Sequence, residues 1–181
     1  MSRELGRRIV VVGSTAAGKT TLATALSDRL HVPHVELDAL HWEAGWAPAA
    51  TPEFRARVFD ALAGETWVVD GNYQSVRDLV WPRAEAMVWL DFGLPVIMWR
   101  LTRRTVHRLR TGRELWNGNR ERLGTVFSRE SLYLWAFKTH QQRRREYPAF
   151  LQEPEHRHLT VVRLSSPAEA NRWLSGLTVE M

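Results

Sequence analysis

Gly13-Ser14-Thr15-Ala16-Ala17-Gly18-Lys19-Thr20-Thr21 lies between an apolar run, Ile9-Val10-Val11-Val12, and Leu22-Ala23-Thr24-Ala25-Leu26, which reads as helix. This is G-x-x-x-x-G-K-[ST] with a strand before it and a helix after it. Gly13 and Gly18 let the chain wrap tightly, so that successive backbone N–H groups point at one centre. The positive end of the following helix faces the same centre. Lys19 is placed for the β- and γ-phosphates and the Thr20 hydroxyl for Mg²⁺. A glycine-rich turn with an incidental lysine is the competing reading. Against it, every specified position matches, and the chain holds only two lysines, Lys19 and Lys138, beside 23 arginines. Residues 13–21 therefore predict binding of a nucleoside triphosphate.

The remaining composition narrows the class. A chain of 181 residues predicts one domain, 1–181, with a sizeable core. A hydrophobic fraction of 44% and a charged fraction of 25% are ordinary for a globular protein. No run is long enough to span a bilayer, the first eight residues are too polar for a secretory signal, and cysteine is absent. These features predict a cytoplasmic protein without disulfides, thiolate catalysis or thiolate metal sites. The net charge of +5 is concentrated. Residues 100–122 hold eight arginines against two glutamates, and Arg143-Arg144-Arg145 follows. Such a cluster is either a solvated face or, in a nucleotide-binding chain, a phosphate clamp.

Short apolar strands alternate with helices along the chain. Strands are predicted at Arg8–Val12, at His34–Leu37 ending at Asp38, at Thr66–Val69 ending at Asp70, at Ala86–Leu90 ending at Asp91, and at Leu159–Val162. Helices are predicted over Thr20–Leu30, from a Thr51 N-cap to Ala63, over Pro95–Leu109, over Thr125–Tyr147, and from Ser166-Pro167 to Leu174. In the third of these, Leu94, Ile97, Met98, Leu101 and Thr105 form a core-facing stripe, with Arg100, Arg103, Arg104, His107 and Arg108 beside it. This alternation implies right-handed βαβ units and a parallel sheet covered on both faces, with ligands at the carboxyl ends of the strands.

Three aspartates fall at those strand ends. Asp70 is the candidate second residue of the Mg²⁺ site, because Mg²⁺ takes oxygen ligands; capping a turn is the structural alternative. Asp91 has the same local pattern, and there the structural role is the stronger reading. Asp38, entering a loop with His41, Trp42 and Trp46, is the candidate group to orient an acceptor hydroxyl or take its proton. The rings suit either a stacking wall or ordinary packing. Among the arginines, Arg100, Arg104, Arg113 and Arg120 are the candidates for spreading transition-state charge, with residues 110–122 as a lid.

Gly13–Thr21, Leu37-Asp38-Ala39-Leu40-His41-Trp42, Val69-Asp70-Gly71-Asn72-Tyr73, Leu79-Val80-Trp81-Pro82-Arg83-Ala84 and Glu114-Leu115-Trp116-Asn117-Gly118-Asn119 run in order along the chain. Together they resemble the adenylate-kinase-like proteins often labelled DNA topology modulation proteins. More distantly the chain is similar to nucleoside monophosphate, shikimate and gluconate kinases. The resemblance implies a three-layer αβα P-loop fold, with a five-stranded parallel sheet in order 2-3-1-4-5 and a small lid over ATP. It implies a magnesium role for Asp70-Gly71 and nucleotide contacts from Arg100 and Arg103-Arg104. An adenine-contacting loop is implied near Ser165-Ser166-Pro167. The acceptor side falls over residues 38–65, and Asp38, His41, Trp42, Gly71, Asn72 and Arg77 are its expected contacts. The adenylate kinase AMP segment is replaced by Asp38–Trp42, and the D-G-F-P-R arginine is displaced by Asn72-Tyr73-Gln74-Ser75, with Arg77 beyond. An aspartate after the second strand is closer to kinases that phosphorylate a hydroxyl on a small molecule.

The combined reading is an ATP- and Mg²⁺-dependent kinase for a small acceptor, a nucleoside or nucleotide among the options, acting as a monomer or homodimer. Two rivals stand beside it. One is a nucleotide-binding regulator acting on DNA, for which the arginines supply charge but no helix-turn-helix or zinc motif is present. The other is an ATPase whose lid serves a partner protein.

Overall fold

A computed structural model describes residues 5–112, 114–120 and 132–177. Five strands, β1 (Arg8–Gly13), β2 (His34–Glu36), β3 (Trp67–Asp70), β4 (Ala86–Leu90) and β5 (Thr160–Leu164), form one parallel sheet in the order β2-β3-β1-β4-β5. The helices are α1 (Lys19–Leu30), α2 (Leu37–His41), α3 (Thr51–Ala61), α4 (Arg77–Val80), α5 (Leu94–Thr111), α6 (Leu132–Phe150) and α7 (Pro167–Ser175). This is the three-layer arrangement expected from the alternation of strands and helices.

The unbroken apolar run of β1 is explained by burial on both faces. Val10 and Val12 join one core layer with Phe54, Val58, Trp81 and Tyr147. Ile9 and Val11 join the other with Leu26, Phe92, Ile97 and Leu164. Central position in the sheet carries Gly13 to the carboxyl edge, where the phosphate loop begins. Among the described residues no helix is long and apolar enough to cross a membrane.

Element boundaries differ from expectation in a few places. Strand β2 stops at Glu36, and Leu37 opens a helical turn closed by Trp42 N–H donating to Asp38 O (3.1 Å). Leu37 is buried against Gly71, where a Cβ would stand 2.7 Å from the Leu37 Cβ. Thr51 does not cap α3. Phe54 N–H donates to Ala50 O (2.9 Å), which makes Ala50 the flanking residue and puts Thr51 inside the helix. Ser166 caps α7 as expected, with its hydroxyl accepting from Glu169 N–H (3.2 Å). The expected start of the long helix at Thr125 lies outside the described residues.

Candidate active site

The phosphate loop is held at three points by side chains from three other elements. Asn72, just past β3, accepts from Gly13 N–H through Oδ1 (3.1 Å) and donates to Gly13 O through Nδ2 (2.6 Å). Tyr147 of α6 donates its hydroxyl to the same Oδ1 (3.1 Å). His140, also on α6, pairs through Nδ1 with the buried Ser14 hydroxyl (2.9 Å). Arg100 of α5 donates to Ala17 O (2.8 Å). Gly13 leaves no room for a side chain, because a Cβ would lie 2.7 Å from Leu90 O. The loop is thus set before any ligand arrives.

Lys19 donates to Ser14 O (3.3 Å) across the loop. Burial, joined by the charges of Arg143 and Arg104 and opposed by those of Asp38 and Asp70, pushes its ammonium pKa down to about 8. The charge of Arg104 on α5 is therefore felt at Lys19. Arg143 was missed in the sequence, where it reads as one of three consecutive arginines. Its Nη1 is buried without a hydrogen-bond partner among the described residues, and burial holds its pKa below the ordinary value. Helical phase alone separates its fate from that of Arg144, which pairs with Asp91 (2.6 Å).

Carboxylates gather at the ends of β2 and β3. Glu36 and Asp70 are register partners on β2 and β3. The Thr20 hydroxyl donates to Glu36 Oε1 (3.3 Å). Burial raises the Glu36 pKa, assisted by the charges of Asp70 and Asp38 and opposed by a hydrogen bond from Trp116. Asp70 is buried, with His34 Nε2 3.7 Å from one oxygen and no partner for the other among the described residues. A divalent cation fits such a donor set. Asp70, with Thr20 and Glu36, would hold it, and it would give the unpartnered Asp70 oxygen a partner. Glu36 escaped the sequence reading because it was taken as an ordinary strand residue. The signal available was its place two residues before Asp38.

Asp38 accepts from the Tyr73 hydroxyl (2.5 Å). Burial and the Asp38 charge push the Tyr73 phenol far above its usual range, so it stays a donor. His41 packs among Trp42, Phe54 and Tyr73, with ring centroids 4.5–4.9 Å apart, and burial lowers its pKa. Trp42 stacks edge-on with Trp46 (5.6 Å) and Trp46 with Trp116 (6.3 Å). Arg77 sits between the rings of Trp81 (4.7 Å) and Phe150 (4.3 Å). It lines a cleft with Gly71, Asn72 and Tyr147.

The other sequence candidates are dispersed. Asp91 is buried in a double ion pair with Arg144 and Arg163 (2.5 Å), a structural role. Arg120 pairs with Glu114 (3.4 Å) on the exposed base of the 114–120 loop. Arg113 lies outside the described residues. The basic stripe on α5 divides. Arg100 and Arg104 turn inward, whereas Arg103 and His107 line an outward groove with Trp99 and Arg110.

A glycine loop ahead of a helix, a lysine across it and carboxylates at the neighbouring strand ends, on a 2-3-1-4-5 parallel sheet, define a P-loop kinase-like fold. Comparison with solved structures agrees. The chain is similar to a gluconokinase from Sinorhizobium meliloti 1021, with TM-score 0.53, 22% identity, and 96% of this chain and 94% of that chain covered. It is also similar to a shikimate kinase from Bacteroides thetaiotaomicron, with TM-score 0.53, 16% identity, and coverage of 93% and 94%. A sugar kinase from Janibacter sp. HTCC2649 gives TM-score 0.51, 22% identity, and coverage of 94% and 93%. No family model matches the chain, and no curated protein matches it.

Proposed function

We propose that the chain is an ATP- and Mg²⁺-dependent phosphotransferase for a small acceptor bearing a hydroxyl or phosphate group. The observation that carries this reading is Lys19 lying across the glycine loop, with Thr20 bonded to Glu36 and a buried, unpartnered Asp70 oxygen at the neighbouring strand end. Lys19 and the amides of residues 13–21 hold the triphosphate. Thr20 and Asp70, joined by Glu36, hold the metal, which when bound neutralises polyphosphate charge. Asp38, kept in place by Tyr73, orients the acceptor hydroxyl and takes its proton. Arg104 and Arg143 stabilise charge on the transferring group. Residues 38–65 with Gly71 and Arg77 form the acceptor side, and residues 114–120 belong to the lid. The five quoted motif segments support membership of the adenylate-kinase-like group labelled DNA topology modulation proteins.

One observation favours a second reading, that of a nucleotide-binding regulator acting on DNA. The outward groove of α5 sets exposed Trp99 beside Arg103, His107 and Arg110. The deciding experiment measures ADP release with MgATP against nucleosides, nucleoside monophosphates, sugar acids and duplex DNA, with Lys19→Ala as blank. Stimulation by one small acceptor, lost in the variant, supports the phosphotransferase. Stimulation by DNA alone, or none above the blank, sinks it.

A further inference from the structure

Two loops of the same length and the same build are bolted together beside the phosphate site. Residues 42–48 and 114–120 each close on an antiparallel bridge, Trp42 with Pro48 and Glu114 with Arg120. Each encloses a 3-10 turn, Ala44–Trp46 in one and Trp116–Gly118 in the other. Between them stands Asn119, buried although it belongs to a surface loop. Its Oδ1 accepts from Trp46 N–H (2.8 Å), and its Nδ2 donates to Glu43 O (2.8 Å) and Trp116 O (2.9 Å). Asn117 Nδ2 donates to Trp42 O (2.5 Å), and Trp46 Nε1 donates to Arg120 O (3.1 Å).

The bolt also reaches the phosphate loop. The Trp116 side chain lies beside the Glu36 carboxylate, and the same carboxylate accepts from the Thr20 hydroxyl (3.3 Å). A continuous set of contacts therefore runs from Thr20 through Glu36 and Trp116 to Asn119, and from there to Glu43 and Trp46. Parting the two loops would strand a buried amide and two backbone partners, a cost that makes them move together.

We infer that Asn119 is a positioning residue that makes loops 42–48 and 114–120 one body, so that a change at Thr20 on nucleotide binding is transmitted to the acceptor-side loop. The purpose of this link, setting the acceptor side only when the nucleotide is in place, rests on the phosphotransferase reading. The link itself rests on the bonds above and holds without it.

Hydrogen–deuterium exchange on the full chain tests it, comparing the native protein with Asn119→Ala and Asn119→Asp. Each is measured without ligand and with Mg²⁺ plus a β,γ-imido analogue of ATP. Without ligand, exchange at the Trp46 amide rises about tenfold or more in Asn119→Ala, since several bonds of roughly 1 kcal/mol each are lost. With the analogue, the native protein slows exchange both in 13–20 and in 42–48. Asn119→Ala slows it in 13–20 alone. Asn119→Asp keeps an acceptor for Trp46 N–H and recovers part of the 42–48 response, which a merely structural role for Asn119 would not produce. An unchanged Trp46 amide in Asn119→Ala, or an equal response of 42–48 with and without Asn119, overturns the inference. Absence of any response in 13–20 of the native protein overturns the nucleotide reading instead, and the ligand-free comparison then decides the link by itself.

Discussion

Asn72 grips Gly13 at both its backbone N–H and its backbone C=O, tying the end of β3 to the first residue of the phosphate loop. Sequence reasoning put Asn72 among the substrate contacts. In the structure its side chain also bonds to the loop. Asn72→Ala is expected to lower stability by about 3 kcal/mol, at roughly 1 kcal/mol for each bond lost to Gly13 N–H, Gly13 O and the Tyr147 hydroxyl. Affinity for MgATP should fall with it, because Gly13 is no longer held. Chemical denaturation and calorimetric titration check the two effects. Full stability in the variant would show the bonds to be incidental.

Lys19 gives the site a pH dependence of definite sign. Its folded pKa of about 8 lies below the ordinary 10.5. This group therefore raises the stability of the ligand-free protein as pH climbs from 8 toward 10.5, where the unfolded chain binds more protons. Polyphosphate beside the ammonium favours its charged form and raises the pKa. Nucleotide binding above pH 8 should thus take up a proton, and affinity should fall by up to about tenfold per pH unit there. Titration calorimetry in buffers of different ionisation enthalpy detects the uptake. Lys19→Ala should abolish it.

Asp70 and Asp91 stand at the ends of β3 and β4 with the same local sequence pattern, yet their environments predict opposite behaviour. Asp70→Asn should leave the melting temperature unchanged or higher, since a buried carboxylate oxygen without a partner is lost. It should also reduce Mg²⁺-dependent nucleotide affinity by at least about tenfold, because a hard cation loses an anionic oxygen. Asp91→Asn should cost about 2 kcal/mol by leaving Arg144 and Arg163 without their carboxylate, with nucleotide affinity changed by less than about twofold. Equal effects of the two variants would refute the division of roles.

Tyr73→Phe removes the hydroxyl that fixes Asp38 while keeping the ring against His41 and Phe54. Fold stability should change by about 1 kcal/mol or less. Turnover with an acceptor should fall by about tenfold or more, whereas MgATP binding stays unchanged, because only the orientation of the acceptor-side carboxylate is lost. A variant with native turnover would remove Asp38 from the proposed role.

How much of this was legible in advance depended on the range of the interaction involved. Ile9–Val12 and Gly13–Thr21 carry their own instructions, since periodicity, glycine placement and the helix start are local. The sheet followed from the alternation of such segments under the handedness of βαβ units. The strand end at Asp70 was legible for the same reason. Asn119 was not, because the Trp46 amide that it receives lies 73 residues away. His140, Arg143 and Glu36 were hidden likewise, each being ordinary in its own stretch of chain.

The sequence by itself determined a phosphate loop at 13–21 and a parallel sheet that delivers Lys19, Thr20 and Asp70 to one edge, because backbone propensity and burial act over a few residues at a time. Only the tertiary structure decided which arginines face that edge and which pair with Asp91. It also decided that Asn72 and Arg100 hold the loop, and that the 114–120 loop is joined to 42–48. Those outcomes depend on helix phase and on contacts between distant segments, which come into being only when the layers pack.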